Sequence, residues 1–151
     1  MTESLRLRRS PFAELTPFEV YDLARLRVDV FVVEQECAYP ELDGRDVEPA
    51  TVHLWFEAEG PAGPEIVATI RVLDDGDSRV IGRVATATEF RGRRLAERLI
   101  EEGIALCGPV PITLGAQAHL ESWYERFGFR RSGPGYVEDG IPHVPMRREP
   151  T

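Results

Sequence analysis

Ser4-Leu5-Arg6-Leu7-Arg8 alternates polar and apolar side chains, the two-residue period of a half-buried strand. Thr16-Pro17-Phe18-Glu19 then reads as a helix start, with Thr16 as N-cap, Pro17 at the first helical position and Glu19 completing a capping box. Val20, Leu23, Ala24, Arg27 and Phe31 fall on one helical stripe, which the Arg27 stem partly covers. The segment from Cys37 to Ala50 holds Pro40, Gly44 and Pro49 among acidic residues and reads as a loop. Thr51 to Glu59 and Glu65 to Leu73 are β-rich runs on either side of Gly60-Pro61-Ala62-Gly63-Pro64, a hairpin signal, and Arg79 to Thr86 supplies another strand.

From Gly92 the period turns helical, with Leu95, Leu99 and Gly103 beside Ala96, Ile100 and Cys107, until Gly108-Pro109 stops it. Val110 to Leu114 is a short strand of buried type, and His119 to Phe127 a short helix ending at Gly128. Ile141 to Met146 is a weaker terminal strand; Pro142 and Pro145 place it at a sheet edge. This order predicts an α/β (α+β) fold, helices flanking a mixed, partly antiparallel sheet. At 151 residues, positions 1–151 fit a single domain.

Composition narrows the chemistry. All 18 Lys+Arg residues are arginine, so no lysine can serve as Schiff-base former or general base. The formal net charge of -8 argues against nucleic acid or an anionic membrane as partner and fits, weakly, a cationic or amine substrate. The charged N-terminus lacks the apolar stretch of a signal peptide, and Val30-Phe31-Val32-Val33 is too short to span a bilayer, so a soluble cytoplasmic protein is expected. Cys37 and Cys107 fit no metal or disulfide pattern and read as buried thiols. No metal site is expected.

Two constellations carry candidate chemistry. In Val84-Ala85-Thr86-Ala87-Thr88-Glu89-Phe90-Arg91-Gly92-Arg93-Arg94-Leu95-Ala96 a strand leads through a short loop into a helix that opens on Arg and Gly. A helix start presents unpaired N–H groups and a positive dipole end to an anion, and arginine adds charge-assisted bonds of roughly 1.5–3 kcal/mol. The same residues could instead form a solvated basic helix end. No Gly-Lys-Ser/Thr follows, so this is not a P-loop. The second constellation is Leu114-Gly115-Ala116-Gln117 followed by Trp123-Tyr124-Glu125-Arg126-Phe127-Gly128-Phe129, where Tyr124 could be a core residue or a proton donor.

Together these resemble the GNAT N-acetyltransferase superfamily, whose phosphate signature is Arg/Gln-x-x-Gly-x-Gly/Ala. Arg91 and Ala96 match its ends, and Arg94 replaces the central glycine. Good helix formers around Arg94 favour ordinary helical backbone there over positive φ. Arg27-Val28-Asp29-Val30-Phe31-Val32-Val33-Glu34-Gln35, Asp43-Gly44-x-Asp46, His53-Leu54, Ile81-Gly82-Arg83-Val84, Leu114-Gly115-Ala116-Gln117-Ala118-His119 and Glu138-Asp139-Gly140-Ile141-Pro142-His143 extend the likeness to the ElaA-like subfamily over nearly the whole chain.

The resemblance implies a GNAT-like sheet with splayed central strands, acetyl-CoA (coenzyme A) as cofactor, and direct attack by an amine of a small molecule or peptide. By position, Val84, Ala85 and Thr86 would pair with the pantetheine arm, and an N–H near Val84 would meet the thioester oxygen. Arg91, Gly92, Arg93, Arg94, Leu95 and Ala96 would hold the diphosphate. Gln117 stands where relatives carry a CoA-contacting asparagine, and Tyr124 would protonate the departing thiolate. Glu34 is the first candidate for general base, ahead of Asp43, His53, His119, Glu138 and His143. Homodimers are common among GNAT proteins, so monomer and dimer both remain compatible. Two rivals stand beside this reading. One is a CoA-binding regulatory module without turnover; the other is an anion-binding domain for a different phosphorylated ligand.

Overall fold

The computed structural model describes residues 4–151. Its first strand, β1 (Leu5–Pro11), leads to helix α1 (Pro17–Val28), whose start is the capping box read from the sequence. Thr16 Oγ1 accepts from the Glu19 amide at 3.1 Å, and the Glu19 carboxylate accepts from the Thr16 amide at 2.9 Å. α1 widens at its end into a π-helical turn, Asp29–Glu34, so that the Cys37 amide reaches back to the Val32 carbonyl at 3.1 Å. π turns are rare and concentrate at functional sites.

Strands β2 (Val52–Gly60), β3 (Gly63–Asp74) and β4 (Arg79–Thr86) form an antiparallel meander on β1. Helix α2 (Leu95–Cys107) crosses over to β5 (Ile112–Gln117), which runs parallel to β4, and the short helix α3 (Glu121–Glu125) follows. β6 (Arg130–Arg131), β7 (Tyr136–Glu138) and β8 (Ile141–Arg148) complete an eight-stranded sheet ordered β1-β2-β3-β4-β5-β8-β6, with β7 also paired to β8. Every contact except β4–β5 is antiparallel. Among the described residues no helix is long and apolar enough to cross a membrane.

The helices lie on opposite faces. Leu23, Leu26 and Val30 of α1 and its π turn pack on Trp55, Ile66 and Ala85. Leu95, Leu99, Ile100 and Cys107 of α2 pack with Leu54, Phe56, Ile70 and Ile81. The central strands are therefore buried on both sides, which is why β3 is buried without a break from Ile66 to Leu73 rather than alternating.

Two expectations need correction. β8 is not an edge strand; it lies between β5 and β6. Pro142 lies beyond the last β5 pair, Gln117↔His143, and is paired only with Val137 of β7, while Pro145 fits because the partner on its far side is broken. The Pro145 carbonyl accepts from Ser132 at 2.9 Å, where the chain leaves β6 and before β7 begins, so the missing N–H orphans nothing. And α2 opens at Leu95, not at Gly92; Arg91 to Arg94 form a turn ahead of it.

Thr16→Ala, which deletes the hydroxyl half of the cap, is expected to lower unfolding free energy by about 1 kcal/mol in urea titrations. A loss below a few tenths would show that tertiary packing alone holds the start of α1.

Candidate active site

β4 and β5 are partners only at Arg79↔Ile112 and Val80↔Thr113. Beyond that they part, and the facing edges lose their ladder. The Ala87 amide donates to Val67 on β3 at 2.8 Å. Strand alternation therefore turns the N–H and C=O groups of Val84 and Thr86 towards the gap, and those of Ala85 towards β3. On that side the Thr86 carbonyl accepts from Arg91 Nε at 3.1 Å.

At the end of β4 the chain makes a short turn, Thr88–Phe90, and passes through Arg91 to Arg94 into α2. A groove of about 300 Å³ opens there, between Thr86, Phe90, Arg91, Gly92, Arg94, Leu95 and Ala96 on one side and Glu97, Trp123 and Arg126 on the other. Among the described residues the amides of Gly92, Arg94, Leu95 and Ala96 donate to no protein acceptor, and no side chain caps the helix. Those amides and the positive end of α2 make the groove a place for an anion.

Arg94 departs from the expected backbone. It sits at φ 60, ψ 27, in the left-handed region, rather than in ordinary helix. The turn from β4 into α2 needs that conformation just before the first helical residue, and nearby helix propensity cannot supply it. A non-glycine residue there costs about 1–2 kcal/mol, which explains why the family motif carries glycine. The Arg94 side chain is 81% exposed, with Nε 3.8 Å from Glu97. Arg93 stacks its guanidinium 4.6 Å from the Phe90 ring centroid.

Arg91 and Glu34, expected in different roles, hold each other. Arg91 Nη1 and Nη2 donate to the Glu34 carboxylate at 2.7 and 2.5 Å, tying the π turn to the loop before α2. The hydrogen bond from Arg91 keeps the Glu34 carboxyl below its usual range. In this arrangement Glu34 is an ionised, weakly basic partner of a cation.

Tyr124 is 6% exposed, and burial pushes its phenol up to about 12. Trp123 meets its ring edge-on at 4.8 Å and Phe129 at 6.1 Å. Its hydroxyl makes no hydrogen bond among the described residues. Gln117, at the end of β5, donates to Gln35 at 3.2 Å and so links β5 to the end of the π turn. Beside it Tyr136 stacks on His143 at 5.5 Å, and the Tyr136 hydroxyl lies over Gly115, where a β-carbon would stand 2.3 Å away. Only glycine at 115 admits that hydroxyl.

The other base candidates have separate occupations. Asp43 is bidentate with Arg71 at 2.6 and 2.9 Å, and that contact holds its carboxyl far below the usual range. His53 is buried, 3.1 Å from the Asp46 carbonyl. His143 turns Nδ1 to the Ile141 carbonyl at 2.7 Å. His119 and Glu138 are exposed. Both cysteines are buried and free. The chain from Cys37 to Ala50 is held by an ion network: Arg27 bonds Glu41 at 2.6 Å and Asp46 at 2.7 Å, and Arg71 reaches Asp46 at 3.1 Å. Sequence reasoning passed over Gln35, Arg83, Trp123, Arg126 and Tyr136 as site residues. Gln35 and Arg83 lay within the ElaA-like motifs and Trp123 and Arg126 beside Tyr124 in the second constellation, whereas Tyr136 had no local signal.

A sheet parted beside an amide-rich helix start defines a class, and the comparisons agree with it. The chain matches the acetyltransferase (GNAT) domain over residues 28–150 and belongs to the GNAT acetyltransferase family, making it an acyltransferase. Within that family it is ElaA-like. It is 40% identical to ElaA of Escherichia coli over 144 residues, covering 91% of this chain and 92% of ElaA. Superposed on the crystal structure of E. coli ElaA it gives a TM-score of 0.86 with 36% identity, covering 97% of this chain and 100% of that one. The acyl-CoA N-acyltransferase from Pseudomonas aeruginosa gives 0.88 with 39% identity over 96% of this chain and 99% of that one. UPF0039 protein Rv2851c of Mycobacterium tuberculosis is 44% identical over 152 residues, covering 98% of this chain and 94% of the relative.

Burial lowers the proton affinity of His53. Below about pH 6.5 the unfolded chain then binds a proton that the folded chain does not, so stability falls as pH drops from there through the lowered folded-state value. His53→Gln should flatten that slope in urea titrations between about pH 7.5 and about pH 5.5. An unchanged slope would assign it to other groups.

Proposed function

We propose that this chain transfers an acetyl group from acetyl-CoA to an amine of a small molecule or peptide by direct attack. The observation that carries the reading is the open β4 edge leading into the amides of Gly92, Arg94, Leu95 and Ala96 at the start of α2, which donate to no acceptor among the described residues. A pantetheine arm needs the first and a diphosphate the second. The residues present fit the ligand, because the groove is lined by Arg91, Arg94 and Arg126 and those four amides have no acceptor among the described residues to lose. The P. aeruginosa relative, an acyl-CoA N-acyltransferase, supports the donor class.

Acetyl-CoA supplies an acyl group activated as a thioester. The amides from Gly92 to Ala96, with Arg91, Arg93 and Arg94, neutralise the diphosphate, and Leu95 seats the helix end in the core. Val84, Ala85 and Thr86 form the strand that the extended arm joins; the Val84 and Thr86 groups face it. The Val84 amide donates to the thioester oxygen as negative charge develops there. The amine nitrogen bonds to the acyl carbon, the C–S bond breaks, the Tyr124 hydroxyl gives its proton to the departing thiolate, and the phenolate recovers the proton shed by the acylated nitrogen. A phenol held at about 12 by burial remains protonated until that moment. Gln117, at the end of β5 and joined to Gln35, would contact the arm from the β5 side.

Glu34 takes up the proton that the ammonium loses before attack, once a diphosphate draws Arg91 away. The Glu34–Arg91 pair also favours the second reading, a CoA-binding module without turnover, in which that pair is permanent.

Thiol release from acetyl-CoA across a panel of amines separates the two. Turnover with at least one amine is expected, whereas CoA binding without release for any would favour the module. Tyr124→Phe should lower kcat by at least about tenfold with CoA affinity retained; unchanged turnover would return Tyr124 to the core. Arg94→Gly relieves the left-handed strain and should raise stability by about 1 kcal/mol while leaving the amide site able to bind CoA. Loss of CoA binding in that variant would make the Arg94 side chain, not its amide, the ligand.

A further inference from the structure

Arg83 occupies a position where a strand would be expected to carry glycine. Gly82 pairs with Arg71 and Ala85 with Thr69, so Arg83 and Val84 together face Ile70. This is a bulge, and Arg83, its first residue, has φ 51, while Gly82 beside it keeps an ordinary φ. Bulges whose first residue is left-handed ordinarily put glycine there.

The bulge sets the phase of everything after it. If β4 ran on from Gly82 without the extra residue, Thr69 would face Val84, and the Val84 amide would turn into the β3 ladder. With it, that amide faces the gap between β4 and β5.

What arginine adds over glycine is an anchor. Its Nε donates to Glu41 Oε2 at 2.9 Å and its Nη2 to the Glu41 carbonyl at 3.1 Å, with Asp43 at 3.4 Å. The guanidinium also lies 5.7 Å from the centroid of Tyr39, whose hydroxyl bonds Glu41. Glu41 is 4% exposed and shares Oε2 with Arg27 at 2.6 Å. A carboxylate buried between two arginines has one stable place, so the loop that carries it can hold a strained backbone in register.

We propose that Arg83 and Glu41 are positioning residues for acyl transfer: their ion pair keeps the β4 bulge in the phase that presents the Val84 amide to the acyl carbonyl. This rests on the reading of the β4 edge as the thioester site. If the pair served stability alone, its loss would lower stability and leave the amide's response to the acyl group intact.

The test uses the full chain labelled with nitrogen-15 and compares acetyl-CoA with CoA, which differ by the acyl carbonyl. In the wild type the Val84 amide resonance should differ between the two ligands. Arg83→Gly keeps the left-handed backbone accessible but deletes the anchor. It should bind CoA within about threefold of wild type, lose most of the Val84 difference, and lower kcat by about tenfold or more. Arg83→Lys should restore part of both. Full retention of the Val84 difference and of kcat in folded Arg83→Gly overturns the proposal, as does a bound wild type with no difference at Val84. A wild type that binds neither ligand removes the thioester-site reading itself, and the proposal with it. Should Arg83→Gly fail to fold, Glu41→Gln decides: a weakened Val84 difference supports the anchor, and an undiminished one refutes it.

Discussion

β4 and β5 agree for two residue pairs and then diverge, and the site follows from that divergence. Backbone N–H and C=O groups seek partners wherever they are sheltered from water. Two parted parallel edges leave a row of such groups along β4 on the central axis of the sheet, with α2 beginning at its end. An extended, amide-bearing ligand can complete one edge while its anionic end meets the helix start. The meander from β1 to β4 and the layer of β5, β8 and β6 are two halves that this gap both joins and separates.

Holding strands apart requires support from outside the sheet. Four described non-glycine residues have positive φ: Glu36, Arg83, Arg94 and Asp139. Glu36 and Asp139 belong to segments that meet where the Cys37 thiol donates to the Asp139 carbonyl at 3.2 Å, beside the Gln35–Gln117 link. Arg83 and Arg94 bracket the stretch from the parted end of β4 to the start of α2. Strain of this kind persists only where neighbours over-determine the backbone. At Arg83 the neighbours are Glu41, Asp43 and Tyr39; at Arg94 the support is the burial of Leu95 and Leu99 behind the turn.

Charge is distributed to the same end. Arg27, Arg71 and Arg83 gather Glu41, Asp43 and Asp46 into one network on the α1 side of the sheet, tying the long loop after the π turn to β3 and β4. A buried ion pair seldom adds stability over apolar packing, but it is intolerant of misplacement. That intolerance suits a loop whose task is to hold a bulge and a π turn. Arg91 and Glu34 lie at the outer end of this arrangement, both partly exposed, where an exchange of partners costs little.

The local signals were legible in the sequence. The capping box at Thr16, the period of α2 and the alternation of β1 arise from contacts within a few residues, so a short window contains their cause. The arginine-rich approach to α2 was legible too, since helix-end chemistry is local. The sequence could not reveal that Arg94 would adopt positive φ, because the surrounding helix formers argue the other way and the turn from β4 decides. Nor could it show Pro145 inside the sheet, since that depends on where β6 stops and β7 starts.

What the chain determined by itself is most of its helices and strands, though not β6, β7 or the π turn, because periodicity and capping act between near neighbours; the family was legible in short motifs such as the one from Arg91 to Ala96. What only the tertiary structure decided is which distant groups meet: Glu34 with Arg91, Gln35 with Gln117, Glu41 with Arg83. Those pairings depend on how the sheet twists apart and how the loop folds over it, and no spacing along the chain encodes a distance across a gap.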